Sequence, residues 1–209
     1  RRAGTIGNAR GNAYIVGEVA SFPIYPTPPS SSFPVQNAFQ SSFNRGSSDP
    51  LAGSTDGFLT KLNPTGGSLI FSTFLGGTND DSAAGVKLDP AGRICVVGET
   101  SSSDFPVTNA AQSVIAGNAS FPPPDAFVAE FQTNGTSLLY STYLGGSGYE
   151  AGFSFYREGI AVDSFGDIYV TGETTSSDFP LTIGADQTNR LGTSDAFVAK
   201  INPAVPGRA

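Results

Sequence analysis

Histidine is absent from this sequence, as are tryptophan and methionine, and cysteine occurs once. Without an imidazole there is no Ser-His-Asp or Cys-His nucleophile activation, and the usual zinc spheres are excluded with them. Cys95 has no partner for an internal disulfide. It lies in the apolar run Ile94-Cys95-Val96-Val97, where it reads as a small hydrophobe of a sheet. Long apolar runs are missing too: none approaches the roughly 20 residues that cross a bilayer as a helix, so no membrane span is expected. Positive charge is scarce. Eleven Lys and Arg stand against 18 Asp and Glu, and the net charge of -7 with a pI near 4.4 repels phosphate backbones and anionic headgroups. Nucleic acid is therefore not an expected partner. The chain opens mid-pattern on Arg1-Arg2-Ala3-Gly4, without a methionine or an apolar leader, as a processed chain or a piece of a longer one would.

What the sequence has is turns. Glycine (26) and proline (15) make up about a fifth of its 209 residues. The turns are spaced by a repeat. Asp56-Gly57-Phe58-Leu59, Asp125-Ala126-Phe127-Val128 and Asp195-Ala196-Phe197-Val198 start 69 and 70 residues apart, and Phe71-Ser72-Thr73-Phe74-Leu75-Gly76-Gly77 returns 69 residues later as Tyr140-Ser141-Thr142-Tyr143-Leu144-Gly145-Gly146. A third block ends in Gly17-Glu18, Gly98-Glu99 and Gly172-Glu173, and each copy precedes a Ser/Thr-rich stretch closing on Phe33-Pro34, Phe105-Pro106 or Phe179-Pro180. Extra residues around Tyr149 to Glu158 lengthen the second full repeat, a change that a surface loop tolerates.

Apolar residues in these blocks alternate with period two: Phe127, Ala129 and Phe131 point one way, Ala126, Val128 and Glu130 the other. Asp89 to Gly92 and Asp163 to Gly166 have the composition of tight hairpin turns. The unit reads as strand, turn, strand, Gly-Gly turn, strand, Asp/Gly turn, strand, then a Pro-rich loop: a four-stranded antiparallel meander. Such a sheet leaves an apolar face open and must stack on its neighbours. The predicted fold is all-β, a β-propeller-like series of meanders, with a solenoid as the competing geometry. The units are 1–55, a partial first blade; 56–124 and 125–194, the second and third blades; and 195–209, the first strand of a further or split blade. Two or three blades do not close a ring, so completion by oligomerisation or by a longer chain is expected.

At these blocks the sequence resembles the SBBP family of bacterial and archaeal β-propeller repeats. Residues 125 to 180 follow the family's block order closely, 56 to 106 nearly as well, and 4 to 40 in degenerate form. The resemblance implies an extracytoplasmic, surface-associated protein, often beside adhesion-like modules. This repeat is longer than the family's, and the excess sits in Ser/Pro-rich loops, Pro26 to Asn44 and Asn109 to Pro124, which are expected to face partners.

Carboxylates are the remaining candidates for chemistry. Glu18, Glu99 and Glu173 could serve as glycosidase acid and base, but they recur in every unit, as structural groups do. Asp56, Asp125 and Asp195 precede strands as turn caps, and Gly98 and Gly172 are structural repeat positions. Asp80, Asp81, Asp104 and Asp178 supply oxygen ligands, so Ca²⁺ is the one cofactor these loops could hold, though no EF-hand spacing is present. Asn118-Ala119-Ser120 and Asn134-Gly135-Thr136 fit the glycosylation acceptor pattern. Tyr149, Phe153 and Tyr156 in the insertion form a candidate sugar platform. The overall expectation is a non-catalytic extracellular or cell-surface module that self-associates through strand edges into an oligomer or polymer, with a lectin-like glycan binder as the alternative.

Overall fold

The computed structural model describes residues 4–21, 33–44, 54–117, 123–151 and 159–204, and among these there is no helix. Strands β1 (Gly4–Gly7), β2 (Ala13–Ser21), β3 (Ser54–Leu62) and β4 (Leu69–Leu75) form one antiparallel meander. A second contains β5 (Asp81–Leu88), β6 (Ile94–Thr100), β7 (Asp125–Phe131) and β8 (Leu138–Leu144). In the third, β9 (Glu150–Ala151) and β10 (Ile160–Val162) both pair with β11 (Ile168–Thr174), which pairs with β12 (Asp195–Ile201). The all-β, antiparallel expectation holds, and none of the sheets closes on itself.

Alternation along β7 places its two faces in two cores. Phe127, Ala129 and Phe131 join Tyr14, Val16, Leu59 and Phe71 of the first sheet, while Ala126 and Val128 join Ile168, Val170, Phe197 and Ile201 of the third. All seven residues of β7 are buried, so the middle sheet is covered on both sides. Burying a side chain such as Phe127 or Phe131 contributes about 2–3 kcal/mol, which only a neighbouring sheet can provide.

Turn chemistry sets the hairpins. In the β5–β6 turn Asp89 Oδ1 accepts the Arg93 N–H at 2.7 Å and Gly92 has φ +81°; in the β10–β11 turn Asp163 Oδ1 accepts the Asp167 N–H at 3.0 Å and Gly166 has φ +87°. Both conformations need a residue without a Cβ penalty.

Three features differ from the sequence expectation. The Gly-Gly segments do not join strands within a sheet; Gly76-Gly77 carries the chain from β4 to β5 and Gly145-Gly146 from β8 to β9, each time into the next sheet. The sheets therefore span 4–75, 81–144 and 150–201, whereas sequence units starting at 56, 125 and 195 begin inside the sheets, in β3, β7 and β12. A tandem repeat can be cut in any phase, and which turns are hydrogen-bonded hairpins is decided by non-local pairing. Finally, the described parts of the Ser/Pro loops fold back onto their own sheet. Ser72 and Gln36 exchange backbone hydrogen bonds of 2.8 and 3.1 Å; Ser141 and Thr108, just before the second loop, do so at 2.8 and 3.0 Å, and inside that loop Gln112 O accepts the Tyr143 N–H at 3.2 Å.

Glu150 faces Thr174 as Asp81 faces Thr100, and Ile160 faces Val170 as Val86 faces Val96. The two segments β9 and β10 thus occupy the place that β5 takes in the middle sheet, where β5 has a register shift between Ala83 and Gly85.

Candidate functional site

At each sheet-to-sheet crossing two buried acids meet, one from either sheet. Asp56 of β3 faces Asp81 of β5, and Asp125 of β7 faces Glu150 of β9; all four are at most 1 % exposed. Glycine makes this approach sterically feasible. A Cβ on Gly145 would lie 2.5 Å from both Asp125 Oδ1 and Glu150 Oε2, and one on Gly76 would lie 3.0 Å from Asp56 Oδ1 and 2.8 Å from Asp81 Oδ2.

Donors converge on these acids in a repeated pattern. Asp125 Oδ2 accepts from Gln112 Nε2 at 3.0 Å and the Ala116 N–H at 3.0 Å; Asp56 Oδ2 accepts from Gln40 Nε2 at 3.4 Å and the Asn44 N–H at 2.9 Å. Gly146 N–H donates to Glu150 Oε2 at 3.0 Å, and Gly77 N–H to Asp81 Oδ2 at 2.8 Å. The Thr174 hydroxyl donates to Glu150 Oε1 at 2.7 Å, the Ser176 hydroxyl donates to the same oxygen, and the Ser102 hydroxyl donates to Asp81 Oδ2 at 2.8 Å. Burial is the main cause that pushes Asp56, Asp81 and Asp125 up to about 7; negative neighbours, Asp104 for Asp56, Asp56 for Asp81 and Glu150 for Asp125, push the same way.

Strand β12 lacks an outer partner among the described residues. Its counterparts β3 and β7 are flanked by β4 and β8. Val198 is 75 % exposed, whereas Leu59 and Val128 at the same repeat position are fully buried. A groove of about 560 Å³ is lined by β12 together with Leu181, Thr182 and Gln187. Thr182 occupies the place of Thr108, which holds β8, and Gln187 the place of Gln112. Gln187 Nε2 already donates to Asp195 Oδ2 at 2.7 Å. The loop and strand that enclose β8 in the middle sheet thus have their counterparts here, and both line the groove.

The other sequence candidates are dispersed. Gly98 and Gly172 stand opposite Phe127 and Phe197 in register, and Phe105 and Phe179 stack on those rings at 4.5 and 4.6 Å, so these glycines make room for an aromatic pair. Asp104 accepts from the Thr78 N–H and hydroxyl at 2.8 and 3.0 Å, Asp178 likewise from Ser147 at 2.8 and 2.9 Å, and Asp80 from the Thr55 N–H at 3.0 Å. These acids tie the crossings down, and no group of three or more His, Cys, Asp or Glu suited to a metal forms among the described residues. Of the four Ca²⁺ candidates only Asp81 enters a carboxyl pair. Tyr149 is 38 % exposed, next to β9, with its phenol pushed up by burial and by Glu99 and Glu173. Phe153 and Tyr156 lie outside the described residues. Glu18, Glu99 and Glu173 occupy one repeated register position, opposite Gly57, Ala126 and Ala196. Cys95 is fully buried and its thiol is pushed far up by burial, which makes it inert. Arg93, its neighbour, binds Asp89 at 2.6 Å and Glu130 at 3.2 Å.

The Gln residues were not among the candidates. Their signal is present in the sequence, as Asn37-Ala38-Phe39-Gln40 and Asn109-Ala110-Ala111-Gln112. Asn37 and Asn109 have φ +47° and +53°, and Gly184 with φ +89° serves before Gln187. No described helix is long and apolar enough to cross a membrane.

The family model described as SBBP, beta-propeller repeat, matches residues 139–180, from β8 across the Gly-Gly crossing and β11 to Phe179-Pro180. The chain carries a β-propeller repeat there, and its three open antiparallel sheets correspond to propeller-like blades. No curated protein matches the chain.

Proposed function

We propose that this chain is a non-catalytic structural and adhesive repeat module, extracellular or on the cell surface, that self-associates through β-strand edges. The groove lined by β12 carries this reading. A strand of the Leu-x-aromatic-Ser-Thr-aromatic-Leu type fills the equivalent place twice within the chain, in a register that pairs Phe58 with Phe74 and Leu59 with Thr73 in the first sheet, and Phe127 with Tyr143 and Val128 with Thr142 in the second. An edge with no partner strand among the described residues favours addition of such a strand. Opposite ends of the molecule differ: Phe58 at the first sheet and Val198 at the third are the outward members of the pattern that meets between neighbouring sheets. Contact between them is head-to-tail, which produces rings or open fibres. The repeated Glu positions support a structural role for these acids, since a catalyst has no need to recur in every sheet.

Light scattering of the chain at micromolar concentration tests the proposal. Assemblies larger than one chain are expected, and they should dissociate when Val198→Lys places a charge on the open face of β12. A monodisperse monomer defeats it.

A further inference from the structure

The two buried carboxyl pairs raise a question of charge that the assembly reading does not answer. Asp56 Oδ1, Asp81 Oδ1 and Asp125 Oδ1 are shielded from solvent and have no hydrogen-bond partner. Their sister oxygens are served by amides and hydroxyls; at the glycines the bare oxygens of Asp56 and Asp125 lie closest, beside Asp81 Oδ2 at Gly76 and Glu150 Oε2 at Gly145. Two ionised carboxylates in such a place repel one another and pay the desolvation of both charges. The groups acting on them add more negative charge: Asp104 from the segment after β6 acts on Asp56, and Asp81, Asp104 and Asp125 together push up the Tyr143 phenol of β8 after burial itself. Asp178, after β11, holds Ser147 beside the second pair. A proton is the smallest ligand that resolves this. One hydrogen on either acid of a pair supplies the missing donor, satisfies a bare oxygen and removes one charge. A Ca²⁺ ion needs 6–8 oxygen ligands, and each crossing offers one pair of acids.

We propose that each crossing holds one shared proton in the folded chain, between Asp56 and Asp81 in one and between Asp125 and Glu150 in the other, so that the grip between adjacent sheets strengthens on acidification. The pairs are proton-binding sites built into the repeat itself, with Gly-Gly as the element that lets the two sheets bring their acids together.

Unfolding of the chain by denaturant between about pH 8 and pH 5 tests this, in parallel with the double variant Asp56→Asn and Asp125→Asn. An amide donates the hydrogen bond at any pH, so it replaces the proton without titrating. The wild type is expected to take up about two protons on folding near pH 6, one per pair, and the double variant none from these sites. Infrared spectra of the wild type give a second readout that requires no variant: a protonated carboxyl carbonyl band present near pH 6 and lost near pH 8.5 on the same ~7 titration. A wild-type stability without slope in this range, a slope unchanged in the variant, or the absence of that band overturns the proposal. So does a rise in wild-type stability on adding Ca²⁺ near pH 8 that the variant lacks, since a cation would then occupy the pair.

Discussion

Gln112 donates from Nε2 to Asp125 Oδ2 at 3.0 Å, and its Oε1 accepts the Gly145 N–H at 3.1 Å. One side-chain amide thereby ties a loop to the start of β7 and to the exit of β8. Gln40 does the same in the first sheet, with Gly76 N–H at 3.2 Å and Asp56 Oδ2 at 3.4 Å.

Gln112→Ala should destabilise the chain by about 1–3 kcal/mol, because buried Asp125 loses one of its two donors and the Gly145 N–H loses its acceptor together. Gln112→Glu should cost more, since it sets another negative charge against Asp125. Denaturant midpoints at constant pH rank the two.

Gly98→Ala should be among the most damaging single-methyl changes in the molecule. The added Cβ would sit 2.0 Å from Ser82 O and 2.7 Å from the Phe127 ring, both held in the middle sheet. A loss of about 1–3 kcal/mol or more follows from overpacking. At Gly67, where a Cβ meets nothing nearer than Thr65 Oγ1 at 3.5 Å, the same substitution should be nearly neutral in thermal melts.

Stability should fall as pH rises from about 4 to about 7. Asp56, Asp81 and Asp125 are pushed above the unfolded carboxyl value by burial, so the folded state binds more protons than the unfolded one in that window. Asp163, Asp178 and Asp195 are shifted downward; hydrogen bonds from Phe165 and Asp167, from Ser147 and from Leu191 outweigh the desolvation that opposes them. Their contribution is present above about pH 4 and lost below it, so a maximum between about pH 4 and 5 is expected in a melting series.

A peptide with the sequence of residues 138–146 should compete for the β12 groove. It contains the strand and the Gly-Gly whose amide meets Gln112 in the middle sheet, and Gln187 stands ready in the third. Fluorescence anisotropy of the labelled peptide should report saturable binding, weakened by Val198→Lys, while a scrambled peptide should not bind.

Much of the fold was legible because alternation is local. Phe127, Ala129 and Phe131 face one core and Ala126 and Val128 the other, as period two requires. The Asp89 and Asp163 turns were equally readable, since their chemistry spans four residues. The sheet borders were not. Gly76-Gly77 resembles a hairpin turn because glycine permits one, but whether β4 and β5 pair depends on strands far away in the chain. The site was half visible: Asp56, Asp125 and Asp195 stand out by repetition, but the acid facing each is Asp81 in one copy and Glu150 in the other, and the change of residue hides the match. Gln40 and Gln112 were overlooked because they lie in segments whose Ser/Pro composition reads as a solvated loop.

Electron microscopy of the purified chain tests self-association through the sheet edges most directly. Rings or fibres with a repeating three-sheet unit are predicted, converted to single particles by Val198→Lys. A field of isolated particles, each of one chain's mass at micromolar concentration, would contradict it.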